Sequence, residues 1–286
     1  MADNNNYGGL DAGYTGLEQA RVVVLPVPYD ETSTWGKGAD KGPPAILEAS
    51  ANMELYDIET DSEVYKTGIF TAPPVTEKSS PENMVNAVHT EALNYLKQGK
   101  FIVGLGGEHS VTTGFVRAYA DLFDNLSVLQ LDAHTDLRPE YEGSRYNHAC
   151  VMSRVAEICP FVQVGIRSMD SLEKQFTVPD KLFLAEHIQG RTDWHQKVVN
   201  QLTDNVFITI DLDVFDPSIM PSTGTPEPGG MLWYEVIDLL RLVTQKRNVI
   251  GFDVVELAPT KINKAPDFLA SKLIYKLLAY CFQSNK

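Results

Sequence analysis

Short apolar runs alternate with segments of helical periodicity along the chain. Seven runs rich in Val, Ile and Leu predict buried strands, and seven segments of period near 3.6 predict helices. The predicted strands span 21–27, 100–105, 127–131, 161–166, 181–185, 206–210 and 249–255. The predicted helices span 41–56, 80–98, 111–122, 148–158, 193–202, 233–244 and 266–283. This alternation is typical of a mainly parallel sheet with helices on both faces, so we expect a single-domain, three-layer α/β fold.

The length and composition favour one large globular unit. The 286 residues are 43% hydrophobic, which is enough for a sizeable core. We divide the chain into a polar, Gly-rich N-terminal segment, residues 1–18, and one domain over residues 19–286. The N-terminus lacks the features of a signal peptide, and no apolar run approaches the roughly 20 residues of a membrane span. Three cysteines without a CxxC pair indicate a reducing compartment, and we expect a cytoplasmic protein.

The chain is acidic, with a formal net charge of −14 and a pI near 4.8. This charge argues against nucleic-acid and anionic-membrane partners. It favours cationic small molecules through electrostatic steering, although a charge that serves only solubility is an equally good interpretation.

Three of the predicted strands end at residues that can bind metal. GGEHS (106–110), DAHTD (132–136) and DLD (211–213) each follow an apolar strand. The carboxyl ends of parallel strands meet at one edge of a sheet, and carboxylates buried there are costly unless a positive charge compensates them. The predicted metal ligands are His109, Asp132, His134, Asp136, Asp211 and Asp213.

The ligand types indicate which metal fits and how many ions. Four aspartates carry four negative charges, which two divalent cations would cancel. Oxygen ligands with some imidazole suit Mn²⁺ better than a metal that prefers thiolates. An Asp-x-Asp pair alone is more often a helix cap or a solvated turn, but three such clusters at three strand ends outweigh that interpretation. No Gly-x-Gly-x-x-Gly or Gly-Lys-Ser/Thr motif opens a helix, so a nucleotide cofactor is not indicated.

The order of the motifs resembles that of the ureohydrolase family, the arginases and agmatinases. The matching stretches run from about residue 20 to the last helix: GGEHS (106–110), DAHTD (132–136), NHA (147–149), DLDVFDPS (211–218), TGTPEPGG (223–230) and DVVE (253–256). The resemblance implies an arginase-like fold, with residues 19–286 as the catalytic domain. It also implies a small-molecule guanidino substrate and two Mn²⁺ ions bridged by a hydroxide that attacks it.

The resemblance implies a role for each matching residue. One Mn²⁺ would take His109, Asp132, Asp136 and Asp211, and the other would take Asp132, His134, Asp211 and Asp213. Glu256 would bind the guanidinium, for which a carboxylate is a planar, bidentate acceptor. His148 would carry protons near the leaving amine, because its ordinary pKa lies near 6.5. Asn147 and Thr225 would line the substrate pocket.

The loop over residues 137–147 points to the substrate. EYEGSRYNHACVM (140–152) resembles agmatinases, and the acidic, aromatic loop suits an ammonium by charge and cation–π attraction, with Glu140 as a substrate contact. We therefore expect hydrolysis of agmatine to putrescine and urea. Arg138 and Arg145 could instead bind a substrate carboxylate. Arginine, guanidinobutyrate, guanidinopropionate, formiminoglutamate and free guanidine thus stay open.

Two functions from other classes are also compatible with this type of fold. A deacetylase-like relative would use one Zn²⁺ and a tandem histidine pair, but the sequence contains no His-His pair. A catalytically silent homologue would be expected to lack a ligand, and all six predicted ligands are present. Family relatives are often trimers or hexamers, so we expect a homo-oligomer.

Overall fold

The computed structural model describes residues 6–283, and its centre is one eight-stranded sheet. The strand order is β2-β1-β3-β8-β7-β4-β5-β6, and every pair of neighbouring strands in this sheet is parallel. The strands are β1 (Val22–Val27), β2 (Ile69–Thr71), β3 (Phe101–Gly106), β4 (Leu126–Leu131), β5 (Phe161–Ile166), β6 (Leu182–Leu184), β7 (Asn205–Asp211) and β8 (Asn248–Val255).

Helices cover both faces of this sheet. They are α1 (Gly42–Ser50), α2 (Pro81–Leu96), α3 (Thr112–Ala120), α4 (Val151–Ala156), α5 (Ala185–Ile188), α6 (His195–Gln201), α7 (Trp233–Lys246) and α8 (Ala265–Cys281). One apolar cluster joins α1, α5, α6, α7 and α8 to one face, and a second joins α2, α3 and α4 to the other. Alternate strand residues belong to opposite clusters; Val22 and Val24 pack on the first side, and Val23 and Leu25 on the second.

The predicted three-layer α/β fold is confirmed, and each predicted strand and helix overlaps an observed one. Two short elements, β2 and α5, were not predicted, because three or four residues are too few to show a period. The predicted helix over 41–56 ends at Ser50. The segment predicted as a helix from residue 148 begins with a 3₁₀ turn, His148–Cys150, before α4.

The described part of the predicted N-terminal segment packs on the domain. The Tyr7 side chain is fully buried, and its hydroxyl donates a 2.7 Å hydrogen bond to the Ser271 carbonyl in α8. The Tyr7 backbone N–H donates to the Thr71 hydroxyl at the end of β2. Residues 1–5 of that segment lie outside the described residues. Among residues 6–283, no helix has the length and apolar character needed to cross a bilayer.

Candidate active site and metal centre

The candidate ligands and catalytic residues lie at the carboxyl ends of the four central strands, at one edge of the sheet. β3, β8, β7 and β4 are adjacent and parallel, so their carboxyl ends meet. His109 follows β3, Glu256 directly follows β8, Asp211 is the last residue of β7, and Asp132 directly follows β4. Residues far apart in the sequence therefore converge because of strand order alone.

His109 faces three carboxylates. Its Nδ1 atom lies 3.1 Å from Asp132 Oδ2, 3.1 Å from Asp136 Oδ2 and 3.3 Å from Asp211 Oδ2. The same nitrogen is buried and has no hydrogen-bond partner among residues 6–283. The other ring nitrogen, Nε2, lies 2.9 Å from the Thr209 hydroxyl. A nitrogen lone pair surrounded by carboxylate oxygens is the donor arrangement of a divalent cation site.

A second cluster lies beside the first and shares Asp132 with it. His134 Nδ1 lies 2.9 Å from Asp213 Oδ2 and 3.7 Å from Asp132 Oδ1. Ligand atoms of His109, Asp132 and Asp211 form one group within 4.8 Å, and those of Asp132, His134 and Asp213 form another. All six predicted ligands are therefore brought together, and the shared carboxylate is suited to bridge two ions.

Backbone N–H groups orient the aspartates. Asp132 Oδ1 accepts from the His134 N–H at 2.6 Å, Asp211 Oδ1 from the Asp213 N–H at 2.9 Å, and Asp213 Oδ1 from the Ala133 N–H at 3.0 Å. The Gln130 amide also donates to Asp132 Oδ2 at 2.7 Å. These contacts fix the carboxylates before any ligand arrives, which is the role of supporting hydrogen bonds around a metal site.

The electrostatics show that the cluster needs positive charge. Burial, together with the charge of Asp132, raises the pKa of Asp136 to about 7, and burial with the Asp213 charge raises that of Asp211 well above its usual range. Burial by itself would lower the pKa of His134, but Asp213 and Asp132 raise it to about 12. Without a cation, the site keeps protons to offset its carboxylates.

The two predicted catalytic residues line the same pocket as the clusters, a cavity of about 350 Å³. Glu256 is buried, adopts a left-handed backbone conformation with φ 67°, and accepts from the His109 N–H at 2.7 Å. Burial followed by the charge of Glu108 raises its pKa well above the usual range. His148 is half-buried, and burial lowers its pKa to about 4, with the positive charges of His109 and His134 acting in the same direction.

Of the three other predicted substrate contacts, one lines the pocket and two do not. Thr225 lines the pocket. Asn147 does not, because its side chain caps the following turn by accepting from the Ala149 N–H at 3.0 Å. Glu140 is exposed and is not among the lining residues. Of these three residues, only Thr225 therefore reaches the pocket.

The acidic groups at the pocket mouth come from a loop that the sequence did not single out. Asp170 and Glu173 line the pocket, and both contact Arg138, at 3.3 Å and 3.4 Å. Trp35, which is 83% exposed, lines the same opening. The only signal that could have found them is their position in loops after β1 and β5, since binding loops follow the carboxyl ends of such strands.

A parallel sheet with paired ligand clusters at its carboxyl edge is typical of metal-dependent α/β enzymes. Comparison with known proteins narrows the class. The family model described as "Arginase family" matches residues 20–279. The N(1)-aminopropylagmatine ureohydrolase of Synechocystis sp. is 39% identical over 95% of this chain and 92% of its own length. The Thermus thermophilus protein of that name is 41% identical over 94% of this chain and 92% of its own.

A solved structure has the same fold as this chain. The agmatine ureohydrolase of Thermoplasma volcanium superimposes with a TM-score of 0.85 at 30% identity, covering 94% of this chain and 92% of that protein. The chain therefore belongs to the arginase family, as the motif resemblance predicted, and is a hydrolase of the ureohydrolase type.

Proposed function

We propose that this protein is a two-metal hydrolase that releases urea from agmatine. The observation that carries the proposal is the pair of ligand clusters that share Asp132 and open, with Glu256, into one pocket. Four aspartates and two imidazoles are a donor set that fits two Mn²⁺ ions by charge and by ligand type. We assign His109, Asp132, Asp136 and Asp211 to one ion, and Asp132, His134, Asp211 and Asp213 to the other.

The residues then have distinct roles. Two divalent ions bound here would polarise the substrate and make water a nucleophile at neutral pH. Glu256 binds and orients the guanidinium, because a buried carboxylate beside the clusters offers a planar acceptor. Water oxygen adds to the guanidinium carbon, and the bond from that carbon to the alkyl-bearing nitrogen breaks. Both protons of the water end on the leaving amine, and His148 accepts one of them and passes it on. The products are urea and putrescine.

The pocket mouth supports a substrate with a cationic tail. Arg138 lies 3.3 Å from Asp170 and 3.4 Å from Glu173, and its guanidinium is 4.4 Å from the Tyr141 ring centre, so two carboxylates already offset its charge. Arg145 pairs with Glu157 at 2.8 Å and does not line the pocket. Two carboxylates against one arginine leave the mouth net negative. This charge favours agmatine over arginine, guanidinobutyrate and formiminoglutamate.

A longer substrate is the second candidate. Two relatives of 39% and 41% identity bear the name N(1)-aminopropylagmatine ureohydrolase. That substrate carries an additional ammonium beyond the agmatine unit, and hydrolysis would release urea and spermidine. The exposed Trp35 ring and the Asp170 carboxylate at the opening are the groups that could contact such an extension through cation–π and charge attraction.

The test is urea release by the Mn²⁺-loaded protein from a panel of substrates. The panel holds agmatine, N1-aminopropylagmatine, arginine, 4-guanidinobutyrate, 3-guanidinopropionate, formiminoglutamate and guanidine, with formamide and ammonia also monitored. A kcat/KM for agmatine at least about tenfold above every other compound supports the proposal. Higher kcat/KM for N1-aminopropylagmatine selects the second candidate, and in that case Trp35→Ala should raise KM for the longer substrate more than for agmatine. Bound Mn²⁺ without turnover of any compound would contradict the proposal and point to a guanidine substrate outside the panel or to a catalytically silent homologue.

The oligomeric state, the compartment and the partners are part of the same proposal. We propose a cytoplasmic homo-oligomer, trimeric or hexameric, without nucleic-acid or membrane partners. The three cysteines are all unpaired, which supports a reducing compartment. Sedimentation of the purified protein measures the number of chains.

A further inference from the structure

The loop between β1 and α1 connects two parts of the pocket through one side chain. The Thr32 hydroxyl oxygen lies 2.5 Å from Glu108 Oε1 and 3.2 Å from His148 Nδ1. The His148 backbone N–H also donates to this hydroxyl, at 3.0 Å. Thr32 therefore stands between a buried carboxylate and the histidine that lines the pocket.

Glu108 holds this loop with both of its oxygens. Oε2 accepts from the backbone N–H groups of Thr32 at 2.6 Å and Ser33 at 3.1 Å. Oε1 accepts from the Ser110 hydroxyl at 2.6 Å as well as from Thr32. The Glu108 side chain is fully buried. Four donors therefore surround its two oxygens, so Glu108 acts only as an acceptor here and the Thr32 hydroxyl proton points at it.

The direction of that proton decides the state of the imidazole. A hydroxyl has one proton, and once it is donated to Glu108, the oxygen can only accept. The nearby His148 Nδ1 must then carry the ring proton and donate it to Thr32. Burial lowers the pKa of His148 to about 4, so near neutral pH the ring holds one proton in all. Nε2 is left with a free lone pair.

We propose that Thr32, fixed by Glu108, is a positioning residue that holds His148 in the tautomer protonated at Nδ1. The partner of one imidazole nitrogen sets the chemistry available at the other. His148 can then receive and release a proton at Nε2 within the pocket. The catalytic consequence rests on the proposed function, whereas the tautomer does not.

The first test is ¹⁵N NMR of the histidine side chains in the full-length protein without paramagnetic metal. The chain has 6 histidines, and His148→Asn identifies the signal of interest by its loss. We expect a protonated Nδ1 and an unprotonated Nε2. Thr32→Val keeps the shape but removes the acceptor, so the Nδ1 proton should be lost or shared between the nitrogens. Thr32→Ser keeps a hydroxyl and should preserve the tautomer. A ring protonated at Nε2 in the unaltered protein, or one unchanged by Thr32→Val, overturns the proposal.

The second test is kinetic and uses the Mn²⁺-loaded variants. Thr32→Val should lower kcat about tenfold or more with KM and metal content nearly unchanged, and Thr32→Ser should restore most of the rate. A fall in kcat that Thr32→Ser shares would mean that the loop is only structural, and overturns the catalytic part. The expected tautomer in a protein that hydrolyses no guanidino compound would support the positioning role while the proposed function fails. Urea release with the opposite tautomer would do the reverse.

Discussion

At the scale of single residues, three of the four aspartates are held by the backbone through one oxygen and face a histidine through the other. Asp132, Asp211 and Asp213 each give one oxygen to a backbone N–H and direct the other toward a histidine ring. The i+2 spacing within DAHTD and DLD makes this possible, since Asp132 and Asp211 each bind the N–H two residues on. The aspartates of both motifs therefore stabilise the local backbone as well as being candidate metal ligands.

Asp132 is the ligand shared by both clusters, and its removal should affect both ions. We expect Asp132→Ala to reduce the bound Mn²⁺ from two ions per chain to one or none. It should also lower kcat by more than about 100-fold, which exceeds the usual effect of losing a residue that only hydrogen-bonds to a metal ligand. Elemental analysis of the dialysed protein measures this. Asp121→Ala is the control, because Asp121 pairs with His89 on the surface. Two ions retained in Asp132→Ala would contradict the assignment.

Metal binding should release protons. Burial by itself would lower the pKa of His109, but the nearby carboxylates of Asp132, Asp136 and Asp211 raise it well above its usual range, and the pKa of His134 is about 12. At pH 7, both rings therefore hold a proton that a metal must displace, as does part of the Asp136 population, with its pKa of about 7. Raising the pH through 7 removes the Asp136 proton in advance, so Mn²⁺ affinity should rise and fewer protons should be released.

Calorimetric titration of the metal-free protein with Mn²⁺, in buffers of different ionisation enthalpy, counts these protons. His148→Asn is the matched control, since His148 is not an assigned ligand and its pKa is lowered to about 4. An observed heat that does not depend on the buffer would show that the site is already deprotonated, against this prediction.

At the scale of elements, the site depends on two loops that touch through their backbones. Gly107, after β3, donates its N–H to the Val27 carbonyl, and the Glu108 N–H donates to the Tyr29 carbonyl, both at 2.8 Å. A Cβ atom at Gly107 would lie 1.9 Å from the Tyr29 carbonyl oxygen. The loop after β1, which contains Thr32, therefore packs backbone to backbone against the loop that contains Glu108 and His109.

Gly107→Ala should separate these loops. Because the obstructing atom is backbone, the clash cannot be relieved by a rotamer change, and we expect a loss of about 1–3 kcal/mol or more in unfolding free energy, with reduced activity. Gly13→Ala is the control, since a Cβ there meets no atom within 4 Å. Denaturant titration of both variants measures their free energies of unfolding. Equal stability of the two would show that the loop contact is not tight.

The sequence predicted the helices and strands, and the side chains that meet at the carboxyl edge of the sheet, better than it predicted the rest of the pocket lining. Apolar periodicity located the strands, and the motifs placed His109, Asp132 and Asp211 at strand ends that topology then brought together. Thr32, Asp170 and Trp35 lie in loops without periodicity. Their partners are distant in sequence, so only tertiary packing reveals their positions. Glu140 is exposed and does not line the pocket, because acidic character alone does not tell whether a side chain faces the pocket or the solvent.

At the scale of the whole molecule, the net charge of −14 should attract a cationic substrate. We expect kcat/KM for agmatine to fall several-fold when ionic strength rises from about 0.01 M to about 0.5 M, because added salt shortens the reach of the surface charge. The value of kcat at saturation should change little and serves as the internal control. A kcat/KM independent of salt would mean that the charge contributes only to solubility.

The order in which the strands are made has a consequence for how the cell completes this protein. β8, the last strand of the chain, lies between β3 and β7 in the middle of the sheet. As the ribosome synthesises the chain, His109 and both aspartate clusters are made before β8, but the two halves of the sheet cannot join until β8 fills the gap. Before β8 is in place, His109 and the aspartates lie on opposite sides of the gap and the two ligand clusters are not complete. We therefore expect metal to bind only after β8 has joined the two halves of the sheet.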